Sequence, residues 1–341
     1  PQNTIQEFER TRRSRRIGVP FGVQFRIPHS EFRIKSKETE NTTDMKTNYH
    51  SHTHRCGHAE AGERRYIEAA LKEGFKIFGF ADHVPQPYTD FRSGMRIQPE
   101  ETADYVDTIC ALKEEYRGEI DIHIGFEAEY LPTLFEDLLR MLEPYPYEYL
   151  LLGQHFLDHE KGGTYTGSPT DSEAVLAHYV DQCAEGLNTG AFSCFVHPDL
   201  IHFRGDETVY RTEMRRLCRE AKACGVPLEY NLLGLGTRRH YPNPIFWEEA
   251  AVVGNKVILG WDAHAPSWVA QPELEARGDA FLRSLGLTRI ETLTLDIIEN
   301  SQEGDKIRQS PAVAKAMADL KARNILTVVH LILGLPEETK E

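Results

Sequence analysis

From Lys46 to about Thr294 short apolar runs alternate with longer amphipathic stretches. The runs near 46–52, 77–81, 120–126, 149–153, 192–196, 227–231 and 256–260 read as strands. The stretches between them carry a helical period. In GERRYIEAALKEG, Tyr66, Ile67, Ala70 and Leu71 share one face, and Gly74 stands where a helix would stop. QPEETADYVDTICALKEEYRG has Pro99 near its first turn and Gly118 at its end. Further helices are expected over 131–142, 171–188, 206–223, 244–254 and 278–285.

Seven βα units of this kind predict an α/β fold with a parallel sheet, and closing that sheet makes a (βα)7 TIM-like barrel, one unit short of the usual eight. An open doubly wound sheet is the alternative, but it gathers its ligand at a single switch point. Here nearly every strand ends on a polar residue, and only closure brings seven strand ends to one centre.

Both ends of the chain break the pattern. Residues 1–44, with the basic cluster TRRSRR and the polar KSKETENTTD, read as a flexible N-terminal extension to a domain over 45–294. Residues 295–341 read as a helix, a strand and a Gly-Pro loop. The end, VVHLILGLPEET, resembles one βα step of radical-SAM barrels without the cysteine triad of that chemistry, so no radical activity is assigned and His330 reads as a strand residue in packing.

The polar strand ends carry the chemistry. His50 and His52 lie in YHSHTHRCGH with His54 and His58 beyond them; Asp82 and His83 end FGFADH, and Glu127 and Glu129 lie in IGFEAEY. His155 follows LLLGQ, His197 and Asp199 lie in CFVHPD, and Asp262 and His264 end ILGWDAH. A strand places i and i+2 on one face, so His50 pairs with His52 and Asp262 with His264. Closure makes those two pairs neighbours in space. Either His54 or His58 serves as the next ligand. A lone histidine after an apolar run is by default a satisfied core residue, but five separate strand ends are not. Imidazoles and carboxylates without thiolates suit Zn²⁺, Mn²⁺ or Fe²⁺ and argue against a structural zinc. His50, His52, one of His54 and His58, His83, Glu127, His155, His197, Asp262 and His264 make nine ligands, more than one ion takes, so two or three divalent ions are expected, bridged by a carboxylate.

Composition narrows the partners. The net charge of −14 opposes a general nucleic-acid binder, whose footprint is basic. No run approaches the roughly 18 apolar residues of a membrane span, the start has no apolar signal core, and the six cysteines form no C-x-x-C pair. These features lead us to expect a cytoplasmic protein with free thiols, no nucleic-acid or membrane partner, and a small-molecule substrate.

The motifs YHSHTH with CGHAEAGE, FADH, GFEAEY, VHPDL, EYNLLGLGTRRHYPNP and WDAHAP, over about residues 46–290, resemble the PHP family, named for polymerase and histidinol phosphatase domains. Within it they are most similar to the monofunctional L-histidinol-phosphate phosphatases. The resemblance implies a distorted (βα)7 barrel with a trinuclear site. His50, His52, Glu127 and Asp262 would hold one ion, His58, His83 and His264 a second, and Glu127, His155 and His197 a third. It prefers His58 over His54, because the family places its third histidine six residues after the H-x-H pair. It also implies hydrolysis of L-histidinol phosphate to L-histidinol and phosphate, a step of histidine biosynthesis, by a metal-bridging hydroxide attacking phosphorus.

Glu127, Asp262, His264 and Glu129 are then the expected catalytic groups. Arg204, Arg238 and Arg239 are the expected phosphate ligands, with Arg92 and Arg96 as a more distant lid. Glu129, two residues past Glu127, is the expected partner of the substrate ammonium. Asp82 and Asp199 are expected to orient ligand histidines, and Glu229 and Asn231 to reach the pocket mouth. Two other readings stand beside this one: a family member acting on another phosphorylated metabolite or nucleotide, and a non-catalytic metal-binding module.

Overall fold

The computed structural model describes residues 45–295, so the expectations for residues 1–44, for residues 296–341 and for His330 lie outside the described residues. The strands are β1 (Lys46–Asn48), β2 (Phe75–His83), β3 (Asp121–Ala128), β4 (Tyr149–Leu152), β5 (Phe156–Leu157), β6 (Thr164–Tyr165), β7 (Cys194–Phe195), β8 (Leu228–Asn231), β9 (Lys256–Gly260) and β10 (Thr288–Arg289). The helices are α1 (Glu63–Lys72), α2 (Thr102–Glu115), α3 (Phe135–Leu142), α4 (Glu173–Asn188), α5 (Glu207–Ala223), α6 (Leu232–Thr237), α7 (Pro244–Val253) and α8 (Pro272–Ser284).

Eight strands form one sheet in the order β1-β2-β3-β4-β7-β8-β9-β10, and every pairing in it is parallel. A helix lies in each crossover between successive strands. The sheet curls until its ends meet: Ser51, just beyond β1, bridges Ala263, just beyond β9, and His52 N donates to Ala263 O at 2.9 Å. At the other end of the strands, Thr47 Oγ1 donates to Glu291 O. The fold is therefore a distorted TIM-like barrel, as expected.

Four elements escaped the periodicity. β10 adds an eighth, two-residue strand, and β5 and β6 make a two-residue antiparallel hairpin. α6 stands where a loop is expected, because Asn231 Oδ1 caps it by accepting from Gly234 N at 2.8 Å. Boundaries also move: α3 begins later than expected, and α8 begins earlier, with Pro272 at its start.

Strand alternation sorts the side chains into two layers. Phe78, Phe80, Ile122, Ile124, Phe126, Leu150, Leu152, Leu228 and Leu259 belong to the large core that includes the helices. Tyr49, Ala81, Tyr149, Leu151, Cys194, Val196 and Ile258 form a smaller cluster on the inner face. Tyr149 fills the inner space, its hydroxyl donating to Tyr49 O at 2.7 Å and Phe80 O at 3.0 Å. Two strand glycines make room for that ring: a Cβ at Gly79 would meet Tyr149 Oη at 2.2 Å, and one at Gly125 would meet the ring at 2.4 Å. With the lower interior filled this way, only the C-terminal strand ends are left to line a polar site.

Glu148, just before β4, joins this sheet to α2. It accepts from Lys113 Nζ at 2.6 Å and from Ile124 N at 2.8 Å, and lies 3.3 Å from His123 Nδ1. Burial alone would raise this carboxyl, but His123, Lys113 and the Ile124 N–H outweigh it and bring the pKa down to about 2 from 4.5. A depressed folded pKa contributes stability that is complete above about pH 4.5 and lost as pH falls toward 2. Glu148→Gln should cost on the order of 1–3 kcal/mol at pH 7. In denaturant titrations its deficit should shrink by pH 3; an equal deficit at both pH values would remove the charge as its source.

Candidate metal centre

A cleft of about 360 Å³ opens at the C-terminal ends of the strands, lined by His58, His83, Glu127, His155, His197, Asp262 and His264 with Met95, Tyr165, Leu200, Leu233, Arg239 and Tyr241. A larger hollow of about 710 Å³ at the opposite strand ends, beside Tyr145, Phe192 and Pro227, holds none of the clustered ligand groups found among the described residues.

The H-x-H segment is gripped from both sides. Ala81 N of β2 donates to Ser51 O at 2.9 Å, while Ala263 exchanges backbone hydrogen bonds with His50 and His52. Extended backbone held this way turns both imidazoles inward, with their Nε2 atoms 3.1 Å apart. Asp82 anchors the next residue, accepting from Thr53 N at 2.8 Å and Thr53 Oγ1 at 2.6 Å. Burial pushes the Asp82 carboxyl up to about 7 against those donors. Asp82 lies 3.7 Å from His52 Nδ1, too far for a hydrogen bond, so it orients the loop rather than the ring.

The structure separates His54 from His58. Both are exposed, but His54 Nδ1 sits 3.3 Å from Ala61 O. Gly57 then reverses the chain at φ +80, with Gly94 O only 2.6 Å from where a Cβ would stand. That turn folds His58 back over the cleft, its Nε2 3.1 Å from His264 Nε2. His58, His83 and His264 form one group of potential ligands.

Glu127 is the centre. It is 1 % exposed, and its carboxylate lies 3.4 Å from His50 Nε2, 3.4 Å from His52 Nε2, 3.1 Å from His83 Nδ1, 3.6 Å from His155 Nε2 and 2.7 Å from His197 Nε2. Asp262 Oδ1 lies 3.2 Å from His52 Nε2 and 3.5 Å from His50 Nε2. Burial opposes charge on Glu127, yet His83, His155, His50 and His197 hold its pKa well below the usual carboxylate range. Burial drives the pKa of His83 itself well below the usual imidazole range.

Two observations fit this set to divalent ions. Glu127 Oε2 and His83 Nδ1 are buried without a hydrogen-bond partner, a costly state that a cation would relieve. Ligand atoms on one ion with bonds of about 2.0–2.2 Å stand roughly 3.3 Å from each other, and the Nε2 pairs at 3.1 Å and the imidazole–Asp262 spacings of 3.2–3.5 Å match that edge. His197 at φ 32 and Asp262 at φ 48 have left-handed backbones, strain that clusters at functional sites.

The expected substrate groups divide. Arg239 lines the cleft, its guanidinium donating to Tyr241 Oη at 2.6 Å, whereas Arg204 and Arg238 do not line it. Arg92 pairs with Glu100 on the surface. Arg96 is turned inward rather than serving as a free lid, forking onto Glu129 with two contacts of 3.0 Å and reaching Glu160 at 2.7 Å. Glu129 is thereby paired, and also lies 3.3 Å from His155 Nδ1. Asp199 contacts no ligand histidine through a hydrogen bond; its Oδ2 accepts from Asn243 N at 2.5 Å. Glu229 and Asn231 sit beneath the cleft rather than at its mouth, with Glu229 Oε2 2.7 Å from His50 Nδ1. Sequence reasoning did not pick out Tyr165, Tyr241 and Met95 as cleft residues; the β5–β6 hairpin and the loops that carry them have no periodic signal.

The PHP domain profile matches residues 48–232. A probable histidinol-phosphatase of Deinococcus radiodurans is 27% identical over 237 residues, covering 64% of this chain and 86% of that protein. The histidinol-phosphatase of Bacillus subtilis is 33% identical over 121 residues, 33% of this chain and 45% of that protein. The fold matches the histidinol phosphate phosphatase of Lactococcus lactis, solved with zinc, L-histidinol and phosphate, with a TM-score of 0.59 at 18% identity over 74% of this chain and 98% of that one.

Three substitutions test the centre. A Cβ at Gly153 would stand 2.0 Å from Glu127 Oε1, so Gly153→Ala should displace that carboxylate and weaken zinc retention about tenfold or more, measured by elemental analysis after dialysis. In the same measurement His58→Asn should lower bound metal and His54→Asn should leave it unchanged; the reverse order would exchange their roles.

Proposed function

The chain belongs to the PHP domain family, and from that premise we propose that it is a metal-dependent phosphomonoester hydrolase converting L-histidinol phosphate and water to L-histidinol and phosphate. The observation that carries the reading is the single buried cage around Glu127, to which the strand ends deliver imidazoles and carboxylates. The substrate assignment is supported by the names of the Deinococcus and Bacillus relatives.

His50, His52, Glu127 and Asp262 would hold one ion, His58, His83 and His264 a second, and Glu127, His155 and His197 a third. Zinc is the favoured ion, since it accompanies the Lactococcus protein, with manganese or iron as substitutes. When bound, these ions supply positive charge that lowers the pKa of a water toward neutrality and neutralises phosphoryl oxygens. Glu127, Asp262 and His264 act by holding that charge at the cleft. Arg239 forks onto the phosphate, steadied by the Tyr241 phenol at 2.6 Å. Glu129, already paired with Arg96, serves by steadying His155 rather than by meeting the substrate ammonium. Residues 45–294 form the catalytic unit in this reading, and a chain cut to them should keep its turnover.

A phosphate-release assay on histidinol phosphate beside other phosphomonoesters tests the proposal. Turnover should favour histidinol phosphate, vanish on chelation and return with added zinc or manganese. Equal turnover of all esters would remove the substrate and leave the hydrolase, while hydrolysis of none by metal-loaded protein would remove both. Arg239→Ala should raise KM about tenfold or more, with Arg204→Ala and Arg238→Ala close to wild type.

A further inference from the structure

The carboxylate of Glu229 is 2 % exposed and faces the cage from below. Its Oε2 stands 2.7 Å from His50 Nδ1, the distance of an Nδ1–H donating to a carboxylate. Its Oε1 accepts from Asn231 Nδ2 at 2.8 Å, and the same amide nitrogen reaches Asp262 Oδ2 at 3.1 Å. His50, just beyond β1, and Asp262, just beyond β9, are thus tied through one side-chain chain on β8.

The backbone is shaped around this carboxylate. A Cβ at Gly260 of β9 would lie 1.9 Å from Glu229 Oε2, so glycine is the one residue that leaves the acid its place. Burying a carboxylate is costly unless its oxygens are satisfied, and here both are.

An imidazole offers a metal only the nitrogen that carries no proton, and the hydrogen bond at the other nitrogen decides which that is. With Nδ1–H committed to Glu229, the lone pair of His50 is on Nε2. That atom lies 3.1 Å from His52 Nε2, 3.4 Å from Glu127 Oε2 and 3.5 Å from Asp262 Oδ1. We propose that Glu229, in the space left by Gly260, is a positioning residue that fixes the tautomer and direction of His50 for metal binding and, through Asn231, couples His50 to Asp262. The proposal rests on the metal-cage reading above.

The test uses the full chain, stripped of metal and titrated with Zn²⁺ against a chromogenic chelator. Glu229→Leu, which cannot accept the Nδ1–H, should bind one of the ions about 10–100-fold more weakly. Glu229→Gln should lose less, since its carbonyl still accepts from His50 although its amide then opposes that of Asn231. Gly260→Ala should resemble Glu229→Leu. Nitrogen-15 NMR of the imidazoles in the zinc-loaded wild type gives a readout that needs no variant to fold: His50 should carry its proton on Nδ1 and coordinate through Nε2. The opposite tautomer, or wild-type zinc affinity in a folded Glu229→Leu chain, overturns the proposal. Failure of the wild type to bind zinc at all would instead overturn the cage reading with it.

Discussion

A carboxylate at the centre of a ring of imidazoles is the constraint on which the rest depends. Glu127 is buried on the inner face of β3, where an uncompensated charge would be untenable. Its neighbours come from β1, β2, β4 and β7 or the residues just beyond them, so the sheet must curl for the charge to be met. The bridge from Ser51 to Ala263 completes that curl and brings Asp262 and His264 against His52. Barrel closure and charge compensation are here one requirement seen at two scales.

Meeting that requirement costs local comfort elsewhere. His197 and Asp262 adopt left-handed backbone, each at on the order of 1–3 kcal/mol. Asp262 and His197 are among the residue types that tolerate this best. Gly153 and Gly260 give up the β-structure preference of a larger side chain so that Glu127 and Glu229 have room. Beneath them, Gly79 and Gly125 yield to Tyr149, whose ring closes the lower interior. The polar cage thus sits on an aromatic floor, at the strand ends where barrels of this architecture carry their chemistry.

Around the cage, charged pairs hold the loops. Arg96 joins the loop after β2 to Glu129 at the end of β3 and to Glu160 between β5 and β6, and Lys161 adds a contact to Asp90 at 2.9 Å. Arg96 is 2 % exposed beside the buried Glu129 and the partly buried Glu160, so losing one partner would leave a buried charge, the expensive case. This explains why an arginine that looks from its loop position like a lid residue is committed to structure.

Much of this was legible beforehand, because strand period and the placing of polar residues at strand ends are local properties of a chain. Seven apolar runs, all but the one at 227–231 ending in His, Asp or Glu, were enough to expect a curled parallel sheet and a multi-ion site. The family motifs added the choice of His58 over His54. Its physical reason, the left-handed reversal at Gly57 against Gly94, is visible only in three dimensions. The partnership of His50 with Glu229 spans 179 residues, and Arg96 could be assigned to Glu129 or to a ligand only once the loop was placed. Periodicity tells a side chain which face it takes. Which neighbour it meets there depends on strand order, on curl and on the space that glycines leave, and those are decided by the assembled barrel.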